Sequence, residues 1–120
     1  MAAKDELGRA GEERATRFLT GIGYDILDRN WRCPQGEIDI VACTRDHLAI
    51  VEVKTRRTER AGHPFEAVDA RKLGRLWQLG YAWAAEHPEQ ARGLALRVEA
   101  VAVTGDDPEV GVLEHLVDLA

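Results

Sequence analysis

The chain has 120 residues, 45% hydrophobic and 31% charged, with a formal net charge of −5, which fits one globular domain, residues 1–120, with a single core. No apolar run approaches the ~20 residues of a membrane span, and no signal-peptide core opens the sequence, so we expect a cytoplasmic protein with no membrane partner. Cys33 and Cys43 match no metal-finger or redox spacing, and the scattered histidines form no zinc motif.

The first predicted element is a helix over Asp5–Thr20, where apolar and small residues recur at helical spacing. Gly21 and Gly23 end this helix. A first strand then covers Tyr24–Trp31, and the turn CPQG leads into a hairpin over residues 36–56, GEIDIVACTRDHLAIVEVKTR. The N-terminal half is therefore predicted to run helix, strand, strand, strand.

The C-terminal half begins with a long polar, basic loop, RRTERAGHP, whose length hints at mobility or function. A second helix is predicted over Phe65–Glu86 and a further strand over Leu94–Val103. The segment VLEHLVDL is either a short last strand or an ordered tail. The order α-β-β-β-α-β predicts an α/β fold with a mixed central sheet flanked by helices.

The predicted hairpin carries four charges among β-branched residues, and its register decides whether they meet. If a four-residue loop at 44–47 sets Cys43 opposite Leu48, counting back sets Asp39 opposite Glu52. The charged side chains that then share one face are Glu37, Asp39, Glu52 and Lys54. The apolar side chains that then face a helix on the other side are Ile38, Ile40, Ala42, Ala49, Val51 and Val53.

Opposed like charges on adjacent strands are destabilising, so the pair Asp39 and Glu52 needs compensation. A shared divalent cation supplies it, and without a metal one carboxyl of the pair should have a raised pKa. Lys54 would lie beside a phosphate bound to such a cation. The alternative is an ordinary solvated sheet face of ion pairs, with Glu37 bound to Lys54.

These motifs resemble known families. The string GEIDIVA followed by LAIVEVKTR is similar to the PD-(D/E)XK nuclease signature. The longer pattern AGEERATRFLTGIGYDILDRNWRCPQGEIDIVA, VEVKTR and EAVDARKLGRL, between about Leu7 and Val103, resembles the bacterial YraN family, which is similar to archaeal Holliday-junction resolvases. The resemblance implies a restriction-endonuclease-like core and a metal-dependent endonuclease, using Mg²⁺ or Mn²⁺, that hydrolyses phosphodiester bonds in branched or structured DNA.

The resemblance also assigns roles to residues. Asp39 and Glu52 would hold the metal, and Lys54 would steady the attacking water or the developing charge. Glu12, in GEERA, matches the acid on the first helix of the resolvase-like group. Helical spacing supports Glu12, which borders the apolar stripe, over Glu13, which points away from it.

Four further basic residues are candidates for contacting nucleic acid. Lys72 falls inside the apolar stripe of the second helix and matches a lysine of the YraN pattern. A lysine at such a position usually snorkels; the alternative is that it reaches the phosphate side of the site. Arg56, Arg57 and Arg60 follow Lys54 and are either backbone-phosphate contacts or a solvated loop. A local basic segment can meet DNA even on an acidic protein.

Two other interpretations stay open. In the first, the chain is a nucleic-acid-binding module that keeps the fold but does not cut DNA. In the second, it is a structural protein in which the four charges form ion pairs. A twofold homodimer would suit a junction with two symmetric strands, and a partner protein stays an open alternative.

Overall fold

Five strands form one mixed sheet that two helices cover from opposite faces. The structure, a computed structural model, describes residues 3–119 and the side chains of residues 6–119. The elements are α1 Ala3–Gly21, β1 Asp25–Cys33, β2 Gly36–Cys43, β3 His47–Arg56, a 3₁₀ turn Pro64–Ala67, α2 Ala70–Glu86, α3 Pro88–Ala91, β4 Ala95–Thr104 and β5 Val112–Leu116. The predicted α/β class, with a mixed sheet flanked by helices, is confirmed.

The strands lie in the order β1-β2-β3-β4-β5. All neighbours pair antiparallel except β3 and β4, which pair in parallel from His47 opposite Ala95 to Arg56 opposite Thr104. A parallel pair needs a long crossover, and α2 supplies it. The uncertain C-terminal segment forms the edge strand β5.

The helix α1 packs on one face of the sheet. Its buried cluster, the α1-side core, consists of Ala15, Leu19, Tyr24, Ile40, Ala42, Ala49, Val51, Val101 and Val103. The helix approaches β3 very closely at Gly11, because a Cβ built there would lie 2.9 Å from the Cβ of Thr55. Only glycine allows this approach without a shift of the helix, and the next residue, Glu12, is thereby held near the end of β3.

The helix α2 packs on the opposite face. Its buried cluster, the α2-side core, consists of Ile38, Val41, Leu48, Ile50, Leu76, Leu79, Trp83 and Val98. The indole Nε1 of Trp83 donates a 2.9 Å hydrogen bond to Asp28 on β1. Both faces of the sheet are therefore buried at its centre. The face of the hairpin that carries the charges is partly covered by α2 and is not a fully solvated surface.

Three local predictions need correction. The helix expected over Phe65–Glu86 is a 3₁₀ turn followed by α2, because Asp69 takes an extended backbone and its side chain caps α2 by accepting from the backbone N–H of Lys72. The first strand continues to Cys33. Ile38 packs in the α2-side core, whereas we expected it beside Ile40 on the other face.

In the part of the chain that the structure describes, no helix is long and apolar enough to cross a membrane.

Candidate functional site

The strands β2 and β3 separate next to Asp39. The predicted register of Cys43 opposite Leu48 is confirmed, and the ladder runs from that pair to Ile40 opposite Val51. One step further, the Oδ2 atom of Asp39 accepts a 2.8 Å hydrogen bond from the backbone N–H of Val53. A side chain thus takes the place of a ladder carbonyl, and the two strands open at this point.

The carboxylates of Asp39 and Glu52 lie side by side in this opening, as the register predicts. They line one small pocket of about 200 Å³, and the charge of Glu52 acts directly on Asp39. Burial, together with that neighbouring charge, raises the pKa of Asp39 to about 7. This is the behaviour expected of one carboxyl in an opposed, metal-free pair.

Glu52 is buried and is neutralised by two lysines. Its Oε2 atom lies 3.0 Å from the Nζ atom of Lys54 and 2.8 Å from the Nζ atom of Lys72, and only 7% of the Glu52 side chain is exposed. Burial by itself would raise the pKa of Glu52, but the hydrogen bond from Lys72 and the charge of Lys54 outweigh it and hold that pKa below its ordinary value. Glu52 is therefore the charged member of the pair.

Lys72 stands closer to the acids than the sequence suggested. It lies in the first turn of α2, and its ammonium bridges from the helix to Glu52 on β3. Its position in the sequence predicts a phosphate contact, and the structure adds a direct ion pair with a candidate metal ligand. Its role in contacting nucleic acid stays a prediction.

Glu12 lies at the rim of the same opening. It lines a cleft of about 350 Å³ with Lys54 and Arg56. Burial raises the pKa of Glu12, although a hydrogen bond from the side chain of Asn30 partly offsets this. The neighbouring Glu13 faces outward, so the choice of Glu12 over Glu13 from helical spacing agrees with the structure.

Glu37 does not pair with Lys54. The ion pair between these two residues, predicted for a purely structural role of the four charges, is therefore wrong. Its Oε2 atom lies 2.9 Å from the Nε atom of Arg32, its ladder partner on β1. The separation of β2 from β3 explains why Glu37 and Lys54 do not pair. Beyond this point Glu37 remains paired with β1, and Lys54 binds Glu52 on its own strand. Glu37 still lines the pocket that contains Asp39.

The predicted basic residues of the loop lie beside the opening. Arg56, Arg57 and Arg60 line a cleft of about 430 Å³ with Leu7 and Thr55. This cleft shares Leu7, Thr55 and Arg56 with the cleft of Glu12. The Nε atom of Arg56 is buried and makes no hydrogen bond within the described residues, so this guanidinium has donor capacity to spare next to the acids.

Arg75 is a further cation of the site that was not among the residues predicted from the sequence. It lines the pocket of Asp39 and Glu52 on the α2 side, opposite the basic loop. The signal was available, because Arg75 follows Lys72 by three residues and side chains at that spacing share one helix face. Cationic side chains therefore flank the acids from two directions.

Another group of potential ligands lies at β5. One ligand atom each from Glu59, His63 and Glu114 lies within 4.8 Å of the others. However, the Nδ1 atom of His63 accepts a hydrogen bond from the backbone N–H of Phe65, so the proton of a neutral ring is on Nε2, 2.9 Å from Glu114. We interpret this group as a hydrogen-bonded pair that ties the basic loop to β5.

The donor set of the opening fits a small, hard divalent cation. Asp39 and Glu52 offer carboxylate oxygens, which Mg²⁺ and Mn²⁺ prefer. The two carboxyl groups lie close enough to hydrogen-bond each other through a proton, which the raised pKa of Asp39 keeps in place. A divalent cation in place of that proton would offset the repulsion that, after burial, raises the pKa of Asp39.

The fold and the site together define an α/β domain in which paired acids and lysines converge where two neighbouring strands of a mixed sheet separate. Comparison with known sequences shows the family of the chain. The pattern of the uncharacterised protein family UPF0102 matches residues 11–103, and the chain belongs to this family. The YraN-like resemblance found in the sequence is confirmed at this level.

Relatives match over nearly the whole chain. A UPF0102 protein of Paenarthrobacter aurescens is 51% identical over 116 residues, which cover 97% of this chain and 94% of that protein. A UPF0102 protein of Arthrobacter sp. is 52% identical over 116 residues. A UPF0102 protein of Kineococcus radiotolerans is 44% identical over 120 residues, 100% of this chain and 98% of that protein.

Proposed function

We propose that this protein is a metal-dependent endonuclease of the PD-(D/E)XK type that acts on branched or otherwise structured DNA. The observation that carries the proposal is the convergence of Asp39, Glu52 and Lys54 where β2 and β3 separate. The element order α1-β1-β2-β3-α2-β4, with a short α3 before β4, is consistent with a restriction-endonuclease-like core.

Asp39 and Glu52 would hold the cation, Mg²⁺ or Mn²⁺. When bound, the cation would lower the pKa of a water molecule and neutralise charge on the phosphoryl oxygens. Lys54 stands 3.0 Å from Glu52 and presents a fixed ammonium to the negative charge that develops during phosphodiester hydrolysis. Glu12, half-buried at the rim, orients the nucleophile or adds a ligand on the α1 side.

The flanking cations would bind the DNA backbone. On one side of the acids lie Arg56, at the end of β3, and Arg57 and Arg60 in the loop that follows it. On the other side lies Arg75 of α2. Because the whole chain carries a net charge of −5, its attraction for DNA would be local to this face and strongly salt-dependent. A twofold dimer would present two such sites to the two strands of a junction.

The second candidate is a non-catalytic nucleic-acid-binding module. One observation favours it: Lys54 and Lys72 already neutralise Glu52, so the site is electrostatically compensated without a cation. In this case the basic loop would bind DNA, and the acids and lysines would serve only to hold α2 against β3.

A cleavage screen separates the two candidates. Wild type, Asp39→Asn and Lys54→Ala would be incubated with single-stranded, duplex and four-way-junction DNA, with Mg²⁺, Mn²⁺ or a chelator. The nuclease proposal expects cleavage of at least the branched substrate by wild type with metal, and a loss on the order of 100-fold or more in either variant. Salt-dependent binding without cleavage in any protein would support the binding module instead.

A further inference from the structure

The backbone of β1 is unusual at Asn30. This residue has φ 52°, the only positive φ at a non-glycine residue between residues 3 and 119. Its neighbours in β1 pair with Ile40 and Ile38, so Asn30 falls opposite Asp39. Asparagine tolerates the left-handed conformation better than most residues, and such conformations concentrate at functional sites.

Both strands change face at this position. In a regular strand residues i and i+2 point to the same side, but Ile40 packs in the α1-side core and Ile38 in the α2-side core. On β1, Arg29 forms an ion pair with Glu13 of α1, whereas Trp31 packs with the α2-side core. The alternation is reversed in both strands at the pair formed by Asn30 and its partner.

This reversal coincides with the opening of the site. Asp39 sits at the switch in β2, and its side chain turns across to the backbone N–H of Val53 at 2.8 Å. On the neighbouring strand β1, the left-handed backbone of Asn30 lies opposite the residue whose side chain is turned in this way. The irregularity in β1 and the orientation of the candidate ligand are therefore parts of one local structure.

The side chain of Asn30 reaches the other acid of the site. The amide of Asn30 interacts with the carboxylate of Glu12 on α1 strongly enough to offset part of the rise in the pKa of that carboxyl. One residue thus lies beside the acid of the helix through its side chain and opposite the acid of β2 through its backbone. Neither contact could be read from the spacing of the sequence.

We propose that Asn30 is a positioning residue of this site, whose left-handed backbone turns Asp39 into the opening between β2 and β3 while its amide holds Glu12 at the rim. The consequence for catalysis rests on the proposed function, whereas the two structural roles do not.

Two substitutions separate the roles. Asn30→Gly keeps the left-handed conformation and removes the amide. Asn30→Ala removes the amide and also disfavours that conformation. We therefore expect Asn30→Gly to retain the orientation of Asp39 and lose the hold on Glu12, and Asn30→Ala to lose both.

The backbone role is tested by Mn²⁺ affinity, measured by calorimetry. We expect Asn30→Gly to bind Mn²⁺ within about twofold of wild type, and Asn30→Ala to bind about fivefold or more weakly. Equal affinity of the two variants would overturn the backbone role. If Asn30→Ala fails to fold, Asn30→Ser serves instead, because serine is neutral and also disfavours the left-handed conformation. It should bind Mn²⁺ more weakly than Asn30→Gly, and equal affinity of these two variants would overturn the role.

The side-chain role is tested in the metal-free protein by NMR of the Asn30 side-chain amide. Glu12→Ala should shift this resonance, and Glu6→Ala, the same change at an exposed position of α1, should not. An amide signal that ignores Glu12→Ala overturns the side-chain role. Absence of Mn²⁺ binding by wild type would overturn the proposed function instead, and the amide signal would still decide the contact with Glu12.

Discussion

The Oδ2 atom of Asp39 accepts a 2.8 Å hydrogen bond from the backbone N–H of Val53 on the neighbouring strand. This bond satisfies a backbone donor that would otherwise be left unpaired where β2 and β3 separate. It also fixes the Asp39 carboxyl beside Glu52, the residue before Val53. The chemistry proposed for this protein depends on that separation, and the following predictions test its parts.

The stability of the metal-free protein should fall as the pH rises through about 7. Burial and the charge of Glu52 raise the pKa of Asp39 from its ordinary 3.8 to about 7, so between these values the folded state binds the proton more strongly than the unfolded state does. The stabilisation from this proton is complete below about pH 4 and is lost as the pH passes 7. Melting temperatures across this range should show the fall.

The substitution Asp39→Asn should flatten that pH dependence, because an amide cannot lose the proton. At pH 8 the variant should therefore melt at a higher temperature than metal-free wild type. Asp46→Asn, the same change at an exposed position of the hairpin loop, is the control and should leave the pH profile unaltered. A profile for Asp39→Asn identical to that of wild type would contradict the assigned pKa.

Lys54→Ala should separate catalysis from binding. Loss of a fixed cation beside a developing charge costs on the order of 100-fold or more in kcat, while DNA affinity depends mainly on other cations. We expect cleavage to fall by about that factor and DNA affinity at low salt to stay within about threefold. Comparable losses in both quantities would mean that Lys54 acts chiefly in binding.

The basic loop should carry much of the DNA affinity. Arg57→Ala and Arg60→Ala should each weaken binding to all DNA sequences and reduce the slope of log affinity against log salt by about 1, if each arginine contacts one phosphate. Fluorescence anisotropy at several salt concentrations measures both effects. Arg92→Ala, an exposed arginine beside the start of β4, should change neither; an equal effect at Arg92 would point to non-specific attraction.

The close contact of α1 with β3 predicts opposite effects for two glycines of one helix. Gly11→Ala would bring a methyl group to 2.9 Å from the Cβ of Thr55 and should destabilise the protein by about 1–3 kcal/mol through overpacking. Gly8→Ala meets nothing within 4 Å and should stabilise it by about 0.5–1 kcal/mol through helix propensity. Denaturant unfolding decides; a stabilising Gly11→Ala would mean that α1 does not approach β3 so closely.

Much of the fold followed from the sequence because its signals are local. The alternation of the hairpin and its short loop determine the register that brings Asp39 to Glu52, and helical periodicity assigned Glu12 to the inner side of α1. The switch of Ile38 to the other face was not predictable in this way, since it coincides with an irregular backbone in β1 that the residues of β2 do not indicate.

Contacts between elements distant in the sequence were also missed. Glu37 pairs with Arg32 because β1 and β2 remain together where β3 departs, and no local pattern specifies that departure. Lys72 and Arg75 lie one turn apart on α2, which their spacing indicates, but which strand they face depends on how the crossover helix packs. The sequence thus predicted the residues of the site better than their partners.

The most direct test of the central claim is calorimetric titration of Mn²⁺ into metal-free protein at pH 8, where the Asp39 proton is largely lost. We predict a binding site in wild type and in the control Asp46→Asn, and its loss in Asp39→Asn. Equal Mn²⁺ binding by wild type and Asp39→Asn, or no binding by either, would contradict the claim that Asp39 and Glu52 hold a divalent cation.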